Sequence, residues 1–171
     1  ILRKNKNLLM TKVNLKLTTK NHFINTSYTG INEELIKLGV KSASIKDISI
    51  AVSNIRSRKL PNPEKIGNAG SFFKNPIVEK NQLDFLVKNF ENIPYYSLDN
   101  DLFKIPAAWL IEKCGFKAKK FTNFGVSEKQ PLVLVNYGGA SGKEILQLSK
   151  SIVSTVKKIF RIDLQTEVNI I

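Results

Sequence analysis

Gly67-Asn68-Ala69-Gly70-Ser71-Phe72-Phe73-Lys74-Asn75-Pro76 is the stretch on which the fold depends. Its two glycines allow a left-handed or closely approaching backbone. The paired phenylalanines that follow are candidates for a core. Ser71-Phe72-Phe73-Lys74-Asn75 predicts a short strand, ended by Pro76. Just upstream, residues 60–70 carry Pro61, Pro63, Gly67 and Gly70, which predicts an ordered loop in place of regular structure. Two readings of the stretch stay open. It is a glycine turn feeding an edge strand, or a place where backbone nears a ligand and Ser71, Lys74 and Asn75 offer polar groups to it. Lys59, at the rigid corner before Pro61, adds a cation suited to a carboxylate or phosphate.

Outward from this stretch, helical and strand patterns mix. Upstream, Leu9, Thr11, Val13, Leu15 and Leu17 alternate with polar residues, predicting a strand over 9–18 with one buried face. A polar loop over 19–30 leads to a short helix near Asn32 to Leu38, stopped by Gly39. Ser44 and Asp47 form a capping box for a helix bearing Ile45, Ile48, Val52 and Ile55, with Arg56, Arg58 and Lys59 at its end. Downstream, Leu83, Leu86, Val87 and Phe90 mark a third helix, and Leu102 to Ile105 a brief strand. Pro106 opens a helix over 107–114 that stops at Gly115. Residues 116–131 read as irregular or weakly extended, 132–135 as a buried strand, and Ser141 with Glu144 as a second capping box before a long helix. Ile162, Leu164, Thr166, Val168 and Ile170 alternate in a last strand. Without a regular βαβ rhythm, the class is α+β: a mixed or antiparallel sheet with packed helices, plus flanking strands.

Composition narrows the partners. The 171 residues carry 27 Lys plus Arg against 14 Asp plus Glu, a net charge of +13. A balance that basic admits nucleic acid or an anionic surface. Arginine, however, occurs only at 3, 56, 58 and 161, and the lysines run along the whole length, so no nucleic-acid partner is expected. A phosphate-bearing small molecule is served by the same excess. No apolar run approaches the roughly 20 residues of a membrane span. A single cysteine excludes an internal disulfide or a cysteine-based zinc cluster, and the expected setting is cytoplasmic. The chain opens at Ile1 and its one methionine is Met10, so it is expected to be part of something longer.

Several features invite over-interpretation. Residues 137–144 follow a strand and enter a helix like a phosphate loop, but only three residues separate Gly138 from Gly142, and Glu144 stands where a Mg²⁺-binding hydroxyl belongs. A capped turn is the better account. Cys114 and Trp109, on an apolar helix, read as core, and His22 has no partner pattern around it. Glu167, alone on a terminal strand, reads as a solvated carboxylate. No metal site is expected.

The ordered set of segments resembles the UDP-N-acetylenolpyruvoylglucosamine reductase family. The resemblance rests on 56–63 (RSRKLPNP), 67–76 (GNAGSFFKNP), 107–115 (AAWLIEKCG), 130–136 (QPLVLVN) and 167–171 (EVNII), five matches in order over nearly the whole chain. It implies an enzyme dependent on FAD and NADPH that reduces the enolpyruvyl group of UDP-N-acetylglucosamine enolpyruvate, in cytoplasmic peptidoglycan synthesis, as a monomer. It implies Ser71 as proton donor and Glu167 as the acid opposite it. Lys59 and Asn75 become contacts to the substrate's carboxylate or diphosphate, and Gln130 a further substrate contact. Tyr28 is similar to the tyrosine of the form with an extra loop over the substrate. The implied division is 1–18 as the tail of an FAD-binding domain, 19–160 as the substrate-binding domain, and 161–171 as a closing strand carrying Glu167. The flavin contacts lie mostly upstream, so this chain by itself is expected to be inactive. Ser127, Ala118 and Pro131 depart from the family pattern, which leaves a degenerate UDP-sugar-binding module as the alternative.

Overall fold

The computed structural model describes residues 11–28 and 30–170. They fall into two compact units that divide between Ser53 and Asn54. In the first, α1 (Ile31–Lys37) buries Ile31, Glu34 and Leu35, and ends where Gly39 takes a φ of 69°. α2 (Ile45–Lys59) begins in the first unit and ends in the second. It starts as its capping box predicts: the Asp47 carboxylate accepts from the Ser44 backbone N–H at 2.9 Å, and the Asp47 N–H donates to the Ser44 hydroxyl at 3.3 Å.

The second unit holds two three-stranded antiparallel sheets. One is built from β1 (Gly67–Ser71), β5 (Phe124–Val126) and β6 (Val133–Asn136), in the order β1-β6-β5. The other comprises β2 (Ile77–Glu79), β3 (Tyr96–Ser97) and β4 (Leu102–Lys104), in the order β2-β4-β3. α3 (Lys80–Asn89), α4 (Ala107–Lys113) and α5 (Gly142–Phe160) complete it. The core combines Phe72 and Phe73 with Leu110 and Ile111 of α4, Ile152, Val156 and Phe160 of α5, and Leu134 of β6. Burying side chains of this size contributes roughly 1.5–3 kcal/mol each. Trp109 packs at 5.7 Å from the Phe160 ring, and half-buried Cys114 has its thiol pushed up to about 11 by burial, in keeping with a core role.

Four sequence expectations need correction or sharpening. Residues 11–18 form no strand, and Val13, Leu15 and Leu17 are 64%, 76% and 79% exposed. Among the described residues nothing pairs with this segment, and alternation alone cannot hold a strand; Leu9 lies outside the described residues. The strand of the glycine stretch begins at Gly67, inside the expected loop, because Gly67 and Asn68 pair with Asn136 and Val135 and a bulge absorbs the extra residue before Ser71. Gly70, at φ 71°, lies in that bulge. Within 116–131, read as irregular or weakly extended, the extended part is β5, which forms by pairing with β6. The last segment keeps its alternation, with Ile162 and Leu164 buried, but joins the fold by one bridge, Phe73 to Thr166.

Candidate functional site

That single bridge brings together two parts of the chain far apart in sequence. The Lys74 N–H donates to the Gln165 carbonyl at 2.9 Å, and the Glu167 N–H donates to the Phe72 carbonyl at 2.8 Å. Glu167 therefore lies across from the residue next to Ser71, and both side chains are exposed. A regular ladder would send neighbours one step apart to opposite faces. Neither side is regular here, since Ser71 closes a bulged strand and the chain bends at Glu167.

On its other edge β1 pairs with β6, Ser71 opposite Val133 and Asn68 opposite Val135. Residues directly opposite in an antiparallel pair share a face. Ser71 thus belongs to the face of Val133 and Val135, whereas Leu134 turns into the core. On the Val135 face lies a cavity of about 550 Å³. Its walls include Asn62 and Lys65 from the proline loop, Lys120, and Ser127 with Lys129. Tyr137 lies beneath the Lys120 ammonium at 4.6 Å from the ring centre.

Local sequence explains each wall. The proline loop is tied by the Asn62 carbonyl, which accepts from the Lys65 and Ile66 N–H groups at 3.0 and 2.9 Å. The segment carrying Lys120 crosses directly over Gly125, where an added Cβ would meet the Lys119 carbonyl at 2.4 Å. Only glycine permits that approach. Buried Ser127 accepts from the Lys129 and Gln130 N–H groups at 3.2 and 3.4 Å, so this departure from the family pattern holds the Gln130 turn in place. The glycine turn after β6 is not a phosphate loop. The Asn136 side chain accepts from the Gly138 and Ala140 N–H groups at 2.9 and 3.3 Å, occupying the donors that an anion would need. The Ser141–Glu144 capping box then opens α5, and its hydrogen bonds hold the Glu144 carboxyl below the usual carboxylate range.

The remaining candidates divide. Lys59 is the exposed last residue of α2, between Ser57 and Leu60 of the cavity wall. Asn75 sits at the N-terminus of α4, its side-chain oxygen accepting from the Ala107 N–H at 2.9 Å, which leaves the amide NH₂ for a ligand. Gln130 bends back so that its own oxygen accepts from the Leu132 N–H at 3.4 Å. Tyr28 belongs to the first unit, where it is 58% exposed. Sequence reasoning missed Lys65, Lys120 and Lys129, because lysines spread along a basic chain carry no local signature. Among the described residues no group of three His, Cys, Asp or Glu side chains could hold a metal ion, and no helix is long and apolar enough to cross a membrane.

Comparison with known proteins decides the family. The profile of "UDP-N-acetylenolpyruvoylglucosamine reductase, C-terminal domain" matches residues 62–171. This chain belongs to the UDP-N-acetylenolpyruvoylglucosamine reductase family. A reductase of that name from Flavobacterium johnsoniae is 48% identical over 163 residues, which cover 95% of this chain and 48% of the relative. The one from Amoebophilus asiaticus is 46% identical with the same coverage, and that from Xanthomonas oryzae is 45% identical over 84% of this chain and 43% of its own length. The chain thus spans about half the length of the curated relatives it matches. The α+β arrangement of five helices and two antiparallel sheets among the described residues agrees with the family assignment.

Proposed function

We propose that this chain is the substrate-binding half of a UDP-N-acetylenolpyruvoylglucosamine reductase of peptidoglycan synthesis, acting on UDP-N-acetylglucosamine enolpyruvate as a cytoplasmic monomer. The observation that carries the reading is the bridge that sets Glu167 across from the neighbour of Ser71, within a family whose named members are this reductase. In this reading residues 1–18 are the tail of an FAD-binding domain, 19–160 bind the substrate, and 161–171 bring Glu167 back.

Reducing an enolpyruvyl double bond adds hydride to one carbon and a proton to the next. FAD, reduced by NADPH, would supply the hydride in the complete enzyme. The cavity of this chain sets Lys65, Lys120 and Lys129 beside Asn62, Leu60, Ile66 and Val135, and no flavin role is assigned to these residues. The residues here are therefore given substrate-side roles alone. Negative charge builds on the carbon beside the carboxylate as the hydride arrives. The Ser71 hydroxyl delivers a proton there, an act open to a weak acid against so basic a centre in direct contact. Glu167 polarises the same unit, and Lys59 stabilises the developing charge. The Asn75 amide and Gln130 hold the substrate, and Tyr28 covers it.

The test separates the two half-reactions in the complete enzyme. Ser71→Ala should leave flavin reduction by NADPH at its normal rate and slow reoxidation by the enolpyruvyl substrate by about a thousandfold, roughly 4 kcal/mol in barrier. Normal rates in both half-reactions would remove Ser71 from the chemistry. A degenerate binding module predicts substrate binding with no reoxidation even in the unaltered enzyme.

A further inference from the structure

Ser71 owes its outward direction to an irregularity in β1. Asn68 pairs with Val135 and Ser71 with Val133, so Ala69 and Gly70 together oppose the single residue Leu134. That is a bulge of two residues against one. A ladder without it would set Ala69 against Leu134, Gly70 against Val133 and Ser71 against Leu132. Ser71 would then share a face with Leu132 and Leu134, which pack into the core. A slip of one residue sends every later side chain to the opposite face. The extra residue thus turns Ser71 outward and Phe72 inward, where Phe72 is buried.

Asn68 holds this bulge. Its Oδ1 accepts from the Gly70 N–H at 3.1 Å, and its Nδ2 donates to the Ile66 carbonyl at 2.9 Å. One side chain therefore ties the residue before β1 to the bulged residue within it. Only an amide serves both partners, since aspartate has no donor for Ile66 and leucine has neither group. Gly70 supplies the rest. Its φ of 71° is left-handed, and an added Cβ would meet nothing within 4 Å, so glycine is needed for conformation and not for room. Just past the bulge, the Phe72 N–H donates to the Leu132 carbonyl at 2.7 Å, and the Phe72 carbonyl accepts from the Glu167 N–H at 2.8 Å. The same irregularity thereby decides where Glu167 stands.

We propose that Asn68 is a positioning residue for the reaction: it closes the bulge that presents the Ser71 hydroxyl to the reacting carbon, and it acts through Ser71. The inference rests on the reading of Ser71 as the proton donor. The Gly70 N–H is the bond that matters most, because it fixes the turn immediately before Ser71.

The two half-reactions of the complete enzyme test it. A reacting group displaced by about 1 Å can lose about a hundredfold in rate, so Asn68→Ala should slow flavin reoxidation by the enolpyruvyl substrate by about that factor. Flavin reduction by NADPH and the substrate Kd should stay within about twofold of the parent. Asn68→Ser should regain most of the lost rate, because a serine hydroxyl accepts from an N–H two residues on, though more weakly. In a Ser71→Ala background, Asn68→Ala should cost less than about twofold more. Reoxidation at the parent rate in Asn68→Ala would overturn the assignment. So would an equal loss in both half-reactions, or a loss that persists undiminished without the Ser71 hydroxyl. If Asn68→Ala does not fold, Gly70→Ala decides: it strains the same bulge through its φ, has open space for its Cβ, and should show the same selective loss, a parent rate there overturning the assignment. A slow Ser71→Ala beside a normal Asn68→Ala defeats the positioning role alone, whereas a normal Ser71→Ala removes the donor reading and the positioning role with it.

Discussion

Replacing Gly125 by alanine probes the wall that carries Lys120. The added Cβ would lie 2.4 Å from the Lys119 carbonyl oxygen, 3.1 Å from the Lys120 Cα and 3.3 Å from the Lys119 carbonyl carbon. All three are backbone atoms, so no side chain can swing aside. The crossing segment must retreat by about 1 Å to restore ordinary contact. Two hydrogen bonds depend on its position: the Val126 N–H to the Lys119 carbonyl at 2.9 Å, and the Phe121 N–H to the Phe124 carbonyl at 2.8 Å. Overpacking costs roughly 1–3 kcal/mol, and each weakened bond about 1 kcal/mol. Together these give an expected loss of about 3–5 kcal/mol. Urea unfolding followed by Trp109 fluorescence reports on this unit, and with a slope of about 2 kcal/mol/M the midpoint should fall by about 1.5–2.5 M. A midpoint within about 0.2 M of the parent would refute the claim that close backbone approach at Gly125 builds the cavity wall.

Other perturbations should behave as follows. Gly142, the first residue of α5, has nothing within 4 Å of an added Cβ, so alanine there should raise stability by about 0.5–1 kcal/mol in the same unfolding assay. Ala118 holds a φ of 59°, and glycine at this position should add about 0.5–1 kcal/mol by relieving left-handed strain. Leu164→Ala should cost about 2–5 kcal/mol, since the side chain is buried in the core although its segment forms no ladder. The Glu144 carboxyl is held below its ordinary value of 4.5 by the Ser141 hydrogen bonds, so its stabilising effect is complete above that pH and is lost as pH falls through the lowered value. The stability difference between the parent and Glu144→Gln should therefore shrink steadily on acidification from about pH 6 to about pH 3, and a constant difference would argue against the capping box as the cause.

Local rules carried much of the fold. Both capping boxes and the glycine stops at 39 and 115 depend on neighbours within a few residues, and their helices begin and end within a residue or two of expectation. Strands were legible only where burial is continuous, as in β6. β5 and the start of β1 exist because β6 lies between them, a relation no short window contains. Residues 11–18 show the converse, an alternating pattern without a partner. Ser71 stood out through its glycine turn, and Glu167 only through family resemblance, since the bridge that gives it a neighbour joins positions 73 and 166. Asn75 shows how a polar residue read as a ligand contact can also hold a helix end. The three cavity lysines were invisible because charge alone does not say which ammonium groups will meet.

The claim that everything else depends on is that Ser71 and Glu167 act on one reacting unit. A double-mutant cycle of Ser71→Ala and Glu167→Gln, read as the rate of flavin reoxidation by substrate in the complete enzyme, measures this directly. The account predicts strong coupling, with the double variant little slower than the slower single one. Rate losses that simply multiply would mean that the two groups work independently, and would contradict it.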